Sequence, residues 1–276
     1  MRKLPILAHS PWSPSKAGLA NKCPLAFTYR YIEKREGKPR GSAAIIGVIV
    51  HRALELLLDG TPVGDALDTA VAEYDQPLAA KDEKAIRGFS GKLVSFQEKL
   101  AAFTTKNPVT TRNLEGKWAI NHDFNPCAYE DNDNAVIRGI VDLSLFLDNG
   151  YVIIVDHKSG RLRPAQYYRT QLDFYSIMAL AHFPGAKGVQ CALNYLAVDR
   201  VIWGTPLTSS YIRKTLHPWL GQYLTSRAAR VSTPTAQVSP LCGWCDYEDI
   251  CPARGSDNER SSTERVRQTP RAKVPT

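Results

Sequence analysis

The sequence lacks any long, uninterrupted hydrophobic run. No apolar stretch approaches the roughly 20 residues that a helix needs to cross a bilayer. The opening residues, MRKLPILAHSPWSPSK, carry two early positive charges, but their apolar part is too short and too interrupted by proline for a secretory signal. These two absences predict a cytoplasmic protein that does not act in a membrane.

Two further absences restrict the function. The phosphate-binding pattern Gly-x-x-x-x-Gly-Lys-Ser/Thr does not occur, so any nucleotide-driven unwinding of a substrate would come from a partner. Six cysteines in 276 residues are too few for a disulfide-dense secreted fold. The cysteines are therefore candidates for metal binding, or for reduced thiols in an ordinary core.

The bulk composition is that of a globular protein with a basic balance. Hydrophobic residues make up 43% and charged residues 22%, which is enough for one sizeable core. The net charge of +8 and the isoelectric point near 9.2 favour a polyanionic partner, nucleic acid above all. Charge alone does not decide the point, because many basic proteins bind no polyanion.

The sequence patterns predict four segments along the chain. Residues 1–105 are mostly helical, with DEKAIRGFSGKLVSFQEKLAAF the clearest amphipathic helix. Residues 106–230 give three strands, a helix, two strands and a helix, with a hairpin turn at 148–150, where Asn-Gly suits a positive backbone φ. Residues 231–255 are rich in cysteine, and residues 256–276 have the composition of a disordered basic tail. The prediction is a mixed α/β core with a helical N-terminal region.

Two strand aspartates and a lysine form the first candidate site. Asp142 lies in RGIVDLSLF and Asp156 lies in VIIVDHKSG, on opposite arms of the predicted hairpin. Residues paired across a hairpin lie roughly 5 Å apart, and two carboxylates at that distance repel unless a cation lies between them. Mg²⁺ or Mn²⁺ suits such oxygen ligands. Lys158 points the same way as Asp156 because strand side chains alternate, so its ammonium would stabilise charge beside the metal.

Two histidines are candidates for completing this site. His51, on the apolar helix GVIVHRALELLL, would offer a neutral imidazole, although a lone histidine there is also typical of a satisfied core residue. The side chain of His157 points to the opposite face, but its main-chain carbonyl would still reach the metal. Taken singly, Asp142 also fits a turn residue, and Asp156 with Lys158 also fits a surface ion pair.

Four motifs, in this order along the chain, resemble the PD-(D/E)XK nuclease superfamily and in particular its RecB-like branch. The resemblance covers roughly residues 13–255. The quoted motifs are GVIVHRALEL, similar to the helix with the metal-binding histidine; RGIVDLSLF, similar to the G-x-x-D strand; VIIVDHKSG, similar to the D-x-K-Ser/Thr-Gly strand; and QLDFY, similar to Q-x-x-x-Y.

The resemblance implies a restriction-endonuclease-like core, with a central mixed β-sheet flanked by helices. It implies that Gln171 and Tyr175, which share one face of a helix, border the active site and contact DNA; the alternative is a helix with one aromatic core contact. Glu115 on the first strand is a weaker candidate, for a residue that contacts the metal ligands without binding the metal itself. The implied catalytic residues are Asp142, Asp156, Lys158, Gln171 and Tyr175, and the implied metal ligands are His51, Asp142, Asp156 and the carbonyl of His157.

The cysteines suggest a second metal centre. Three follow the pattern C-x2-C-x5-C near the C-terminal end, and one lies about 220 residues earlier: Cys23, Cys242, Cys245 and Cys251. Spacing alone fits either Zn²⁺ or an iron–sulfur cluster. The resemblance to AddB-type and CRISPR-associated exonucleases implies a [4Fe–4S] cluster that holds the N-terminal helices to the C-terminal end. Cys127 and Cys191 lie outside the pattern, and Cys191 is expected to be a buried strand residue.

The candidate site predicts a Mg²⁺- or Mn²⁺-dependent phosphodiester hydrolase, and the resemblance implies a DNA exonuclease that acts on single strands or DNA ends. Recombination, repair, phage DNA processing and CRISPR adaptation all remain open as its setting, with a helicase or a recombination or CRISPR protein as partner. The polarity of degradation does not follow from the residues. Two alternatives are a DNA-end-binding module without catalysis, stabilised by the cysteine-bound metal, and a nuclease with zinc in place of iron.

Basic and aromatic residues near the D-x-K motif are candidates for contacting the substrate. Arg161, Arg163 and Arg169 would hold neighbouring phosphates. Tyr167 and Tyr168 would stack on bases of a single strand, although packing in the core explains them as well.

Overall fold

The computed structural model describes residues 3–5 and 7–253, and these residues form two compact units. The first unit combines the described residues before position 16 with residues 40–225, and the second combines residues 16–39 with the described residues from 226 onward. The boundaries predicted at 105 and 230 stay predictions. The predicted basic tail, residues 256–276, lies outside the described residues.

The N-terminal helices precede the strand-rich region, as predicted, but the strand-rich region contains two short strands that the sequence analysis did not predict. The helices are α1 (Pro14–Lys22), α2 (Pro24–Phe27), α3 (Ser42–Leu58), α4 (Val63–Ala72), α5 (Ala80–Arg87), α6 (Ser90–Lys106), α7 (Arg169–His182), α8 (Ser209–Tyr211) and α9 (His217–Ser232). The strands are β1 (Val109–Asn121), β2 (Pro126–Cys127), β3 (Ala135–Leu147), β4 (Tyr151–Lys158), β5 (Gly188–Tyr195), β6 (Arg200–Trp203) and β7 (Leu207–Thr208).

The strands form one mixed sheet in the first unit. Its order is β2-β1-β3-β4-β5-β6, and β7 pairs with β5. The β4–β5 pair is parallel, whereas β3 and β4 are antiparallel neighbours. Because parallel neighbours need a crossover, α7 connects β4 to β5. The mixed α/β architecture predicted from the sequence is confirmed.

The β3–β4 hairpin fixes the spacing of the two motif aspartates. Gly150 closes its turn with a φ of +88°, a conformation that glycine adopts without steric strain. Leu143 then lies opposite Val155 in the antiparallel register. Asp142 and Asp156 are the next residues toward the open end of the hairpin, so turn chemistry at one end places two carboxylates at the other.

Helices α3 to α6 pack against one face of this sheet. Leu54, Leu93 and Phe96 are buried there together with Leu143 and Val155 of the hairpin. Burial of a side chain of this size contributes roughly 1.5–3 kcal/mol. This apolar layer fixes α3 against the sheet at the level of the hairpin's open end.

The second unit is small and contains all four cysteines of the predicted metal centre. Its core is formed by Ala26, Tyr29 and Tyr247, with Cys23 and Cys245 packed against it. Tyr29 and Tyr247 meet edge to face, with ring centroids 5.4 Å apart. Residues separated by more than 200 positions thus share one apolar cluster.

Within the described residues, no helix combines the length and the apolar character required to cross a membrane.

Candidate metal centre

A histidine and two carboxylates converge at the open end of the hairpin. The ligand atoms of His51, Glu115 and Asp142 all lie within 4.8 Å of one another. Nδ1 of His51 lies 3.7 Å from Oδ2 of Asp142. One imidazole and two carboxylates at this separation form a donor set that suits a divalent cation such as Mg²⁺ or Mn²⁺.

Three elements supply these ligands. His51 lies on α3, and Asp142 lies on β3. Glu115 is the residue of β1 between the paired positions Leu114 and Gly116. Its φ is +46°, which is uncommon for a residue other than glycine and clusters at functional sites.

The backbone of His157 contacts two of the ligands. Its N–H donates to Oδ2 of Asp142 at 2.6 Å. Burial lowers the pKa of His51, and the backbone of His157, which contacts the imidazole, partly opposes that shift. The ring of His157 is buried, with Nδ1 3.1 Å from Nδ2 of Asn194 and its centroid 4.9 Å from that of Phe96. The side chain therefore fixes a main-chain segment whose polar groups face the candidate metal site.

A chain of polar contacts connects Asp156 to α7. Nζ of Lys158 lies 2.5 Å from Oδ2 of Asp156, and it donates to Oε1 of Gln171 at 3.3 Å. Nε2 of Gln171 donates to Oδ1 of Asp156 at 2.9 Å, and it lies 2.9 Å from the hydroxyl of Tyr175. Gln171 thus holds both members of the Asp156–Lys158 pair.

Tyr175 connects this network of polar contacts to β3. Its hydroxyl donates to the carbonyl of Ile140 at 2.8 Å. A Cβ at Gly139 would lie 3.2 Å from the ring of Tyr175 and 3.0 Å from Cε of Met178. The glycine of the G-x-x-D motif therefore lets α7 approach the strand that carries Asp142.

Burial raises the proton affinity of the three carboxylates, and repulsion from Asp142 adds to it at Glu115 and Asp156. Burial raises the pKa of Asp142 and of Asp156, against the opposing effect of Lys158. Burial, and next to it the charge of Asp142, raises the pKa of Glu115 to about 7. Burial lowers the pKa of His51, so its imidazole is neutral and able to bind a metal at neutral pH.

The structure brings the predicted site residues together in two adjoining groups. His51 and Asp142 lie in the group of three ligands, where Glu115 takes the place that the sequence analysis gave to Asp156. Asp156 lies beside this group, in the Lys158 and Gln171 contacts; its charge acts on His51, and the charge of Asp142 acts on Asp156. It stays a prediction that His51, Asp142, Asp156 and the carbonyl of His157 bind one shared ion.

The basic and aromatic residues after β4 differ in their surroundings. Arg161 is exposed, whereas Arg169 forms an ion pair with Asp173 at 2.9 Å. Tyr167 is 54% exposed, so packing in the core does not explain it. The ring of Tyr168 lies under Nζ of Lys158, 4.6 Å from it.

The four cysteines of the predicted second centre lie in the second unit and are free thiols. Burial raises the pKa of Cys245, and the nearby thiols of Cys23 and Cys242 act in the same direction. Backbone N–H groups point at two sulfurs: Gln237 N lies 3.5 Å from Sγ of Cys23, and Ser239 N lies 3.3 Å from Sγ of Cys242.

The cysteine arrangement does not show cluster geometry. Among the residues that the structure describes, the cysteine thiols do not form a group with all sulfurs within 4.8 Å of one another. Cys191 is buried on β5, as expected from the sequence. Cys127, on β2, is half-buried and belongs to the first unit.

The family model of the PD-(D/E)XK nuclease superfamily matches residues 11–252. The chain belongs to the PD-(D/E)XK nuclease superfamily. Enzymes of this superfamily use divalent metals, and the group of His51, Glu115 and Asp142 could hold such an ion. No protein of established function matches this superfamily member in sequence.

Three solved structures resemble this PD-(D/E)XK chain at low identity. A candidate exonuclease from Eubacterium rectale has a TM-score of 0.45 at 9% identity, covering 95% of this chain and 90% of that one. The protein SSO0001 has a TM-score of 0.32 at 14% identity, covering 83% and 95%. Protein VC1899 from Vibrio cholerae has a TM-score of 0.27 at 11% identity, covering 78% and 58%.

Proposed function

We propose that the protein is a metal-dependent exonuclease that hydrolyses phosphodiester bonds of DNA, acting on single strands or on DNA ends. The observation that carries this proposal is the convergence of His51, Glu115 and Asp142 within 4.8 Å, beside the Asp156–Lys158 pair. Membership of a nuclease superfamily implies a nucleic-acid substrate, and a net charge of +8 favours a polyanion.

The ligands of the divalent ion are His51, Glu115 and Asp142, with Asp156 and the carbonyl of His157 at the edge of the site. A bound Mg²⁺ or Mn²⁺ would polarise the scissile phosphate and lower the pKa of a bound water. The N–H of His157 holds Oδ2 of Asp142, which keeps that carboxylate turned toward His51. These contacts support a preorganised ligand set.

Lys158 places the attacking water and stabilises charge that develops on the phosphoryl oxygens. Asp156 and Gln171 fix its ammonium, since both lie within contact distance of Nζ. Tyr175 fixes Gln171 in turn and is itself held by a main-chain carbonyl. Gln171 and Tyr175 therefore position the catalytic pair, in addition to the contact with the substrate strand that the family resemblance implies.

The second unit carries a [4Fe–4S] cluster of the type found in the RecB-like branch. Three observations support this part of the proposal: the cysteines lie in one unit, Cys245 lies near Cys23 and Cys242, and backbone N–H groups point at two of the sulfurs. Hydrogen bonds to sulfur are typical of cluster-bound thiolates. Holding two distant chain segments together is the cluster's main role, and Zn²⁺ is the alternative occupant.

An exonuclease assay tests the catalytic proposal. Single-stranded DNA labelled at one end and blocked at the 5′ or 3′ end is incubated with Mg²⁺ or Mn²⁺, for the wild type, Asp156→Asn and Lys158→Ala. We expect metal-dependent release of nucleotides that both substitutions reduce by at least a hundredfold. Asp199→Asn is the matched control, because Asp199 is a surface carboxylate paired with Lys99.

Two results would overturn the proposal. Unchanged cleavage by Lys158→Ala would remove the role of the lysine. Tight binding of DNA ends without any metal-dependent degradation would replace the exonuclease by a binding module. The assay also gives the polarity. Anaerobic purification, followed by visible absorbance and metal analysis, distinguishes an iron–sulfur cluster from zinc.

A further inference from the structure

Residues 159–168, here called the 159–168 segment, connect the two halves of the candidate active site. The segment begins directly after Lys158 and ends where α7 begins, at Arg169. Gln171, which contacts Lys158, lies in the first turn of that helix. Any side chain that this segment presents to solvent therefore lies close to the proposed catalytic lysine along the chain.

The segment presents one large aromatic ring to solvent. Tyr167 is 54% exposed. The guanidinium of Arg163 lies over its ring, 4.7 Å from the centroid. The ring of Tyr168 meets it edge-on, at 5.0 Å and 75°. Tyr167 is thus held in place by two neighbours while more than half of its surface stays open.

The aromatic group is fixed relative to Lys158. Nζ of Lys158 lies 4.6 Å from the centroid of the Tyr168 ring. The hydroxyl of Tyr195, a fully buried residue of β5, donates to the carbonyl of Arg163 at 2.9 Å. The 159–168 segment thus contacts the sheet through Arg163 and the proposed catalytic lysine through Tyr168.

We propose that Tyr167 is a base-stacking platform that selects an unpaired nucleotide next to the scissile phosphate. Inside a duplex both faces of a base are covered by its neighbours, so only an unpaired or frayed nucleotide can stack on a protein ring. Base–aromatic stacking does not depend on which base is present, because every base has a π-face. Arg163 stabilises the stack from behind the ring and adds positive charge for the flanking phosphate.

This inference deepens the proposed function by naming a residue that sets its substrate class, and it rests on that function. Its test is a binding measurement that needs no catalysis. Fluorescein-labelled 12-nucleotide single strands and blunt duplexes are titrated in EDTA, and their dissociation constants are read from anisotropy.

We expect Tyr167→Ala to weaken binding of the single strand about 5- to 150-fold, the range that loss of one stacked base implies. Binding of the blunt duplex stays within twofold, and Tyr167→Phe retains binding of the single strand because it keeps the ring. Tyr129→Ala is the matched control: this tyrosine also has a guanidinium over its ring, Arg138 at 5.2 Å, but it lies on a different loop.

A second measurement separates stacking from a structural effect. Single strands with one abasic nucleotide at successive positions are bound to the wild type and to Tyr167→Ala. We expect one position at which the abasic nucleotide weakens binding to the wild type. With the abasic nucleotide at that position, Tyr167→Ala and the wild type should bind the strand equally well. A purely structural role of the ring would leave that loss equal at every position.

Three outcomes would overturn the inference. They are an equal loss for single strand and duplex, a Phe variant as weak as the Ala variant, and an Ala penalty that no abasic position removes. Failure of the proposed exonuclease function can be distinguished from failure of the stacking inference. If the stacking signature is present but no metal-dependent cleavage occurs, Tyr167 is a platform of a binding protein; if cleavage occurs without the signature, the exonuclease stands and the platform does not.

Discussion

Replacing Glu115 by glutamine should stabilise the metal-free protein at alkaline pH. Burial and the charge of Asp142 raise the pKa of Glu115 from 4.5 to about 7, so the folded state binds this proton more tightly than the unfolded chain does. Its contribution to the free energy of unfolding therefore falls as the pH rises from about 4.5 to about 7, and the penalty is complete above that range. Glutamine has no such charge and no such penalty.

The magnitude follows from the difference in proton affinity. Each tenfold change in proton affinity corresponds to about 1.4 kcal/mol, so the difference between 4.5 and about 7 sets an upper bound of roughly 3.5 kcal/mol. The Glu115 side chain is partly exposed, and screening by solvent reduces the expected gain to about 1–2 kcal/mol at pH 8.

Urea unfolding in EDTA at pH 5, 6, 7 and 8 measures this gain for Glu115→Gln against the wild type. The difference between the two proteins is the quantity of interest, because both share the loss of stability at low pH that comes from the buried histidines His51 and His157. Glu98→Gln, at an exposed position of α6, is the matched control. A gain that is the same at pH 5 and pH 8, or no gain at all, would refute the argument from buried charge.

Four further outcomes are expected. Adding Mn²⁺ should raise the melting temperature of the wild type by mass action, and Asp142→Asn should remove most of that increase. Tyr175→Phe should lower the free energy of unfolding by about 1–2 kcal/mol in urea, since it leaves the Ile140 carbonyl without its hydroxyl donor. Asn194→Leu should lower cleavage at least tenfold in a single-turnover assay, with little loss of DNA binding. The reason is that Asn194 contacts the ring of His157, and the backbone N–H of His157 donates to Asp142. Cys245→Ser should abolish the visible absorbance of the anaerobically purified protein and lower its melting temperature.

The hairpin shows what local sequence can predict about this fold. The turn at 148–150 was predicted because Asn149-Gly150 has a strong preference for a positive φ, and the alternation of β4 predicted that Asp156 and Lys158 face the same way. Both features depend on residues that are near one another in the chain. The sequence does not indicate β2 or β7, because strands of two residues have no periodicity of their own.

Contacts between residues that are distant in the sequence could not be predicted, and part of the candidate site depends on such contacts. Glu115 was a weak candidate, since nothing in TRNLEGKWAI indicates that a glutamate will adopt a φ of +46° and join His51 and Asp142. No pattern in the sequence points to Asn194. Its contact with His157 joins β5 to β4, two strands that are separated in the sequence by α7, so no local pattern indicates it.

The balance of charge around Asp142 is itself an argument for a bound cation. Glu115, Asp142 and Asp156 are at least partly buried within reach of one another's charge, and the pKa of each is raised. One ammonium, that of Lys158, contacts one of the three, while His51 is neutral. A fold gains nothing in stability from such an arrangement, because isolated buried charges are costly and repel. A divalent ion between these groups would reverse the sign of that interaction, which supports the proposed ligand set.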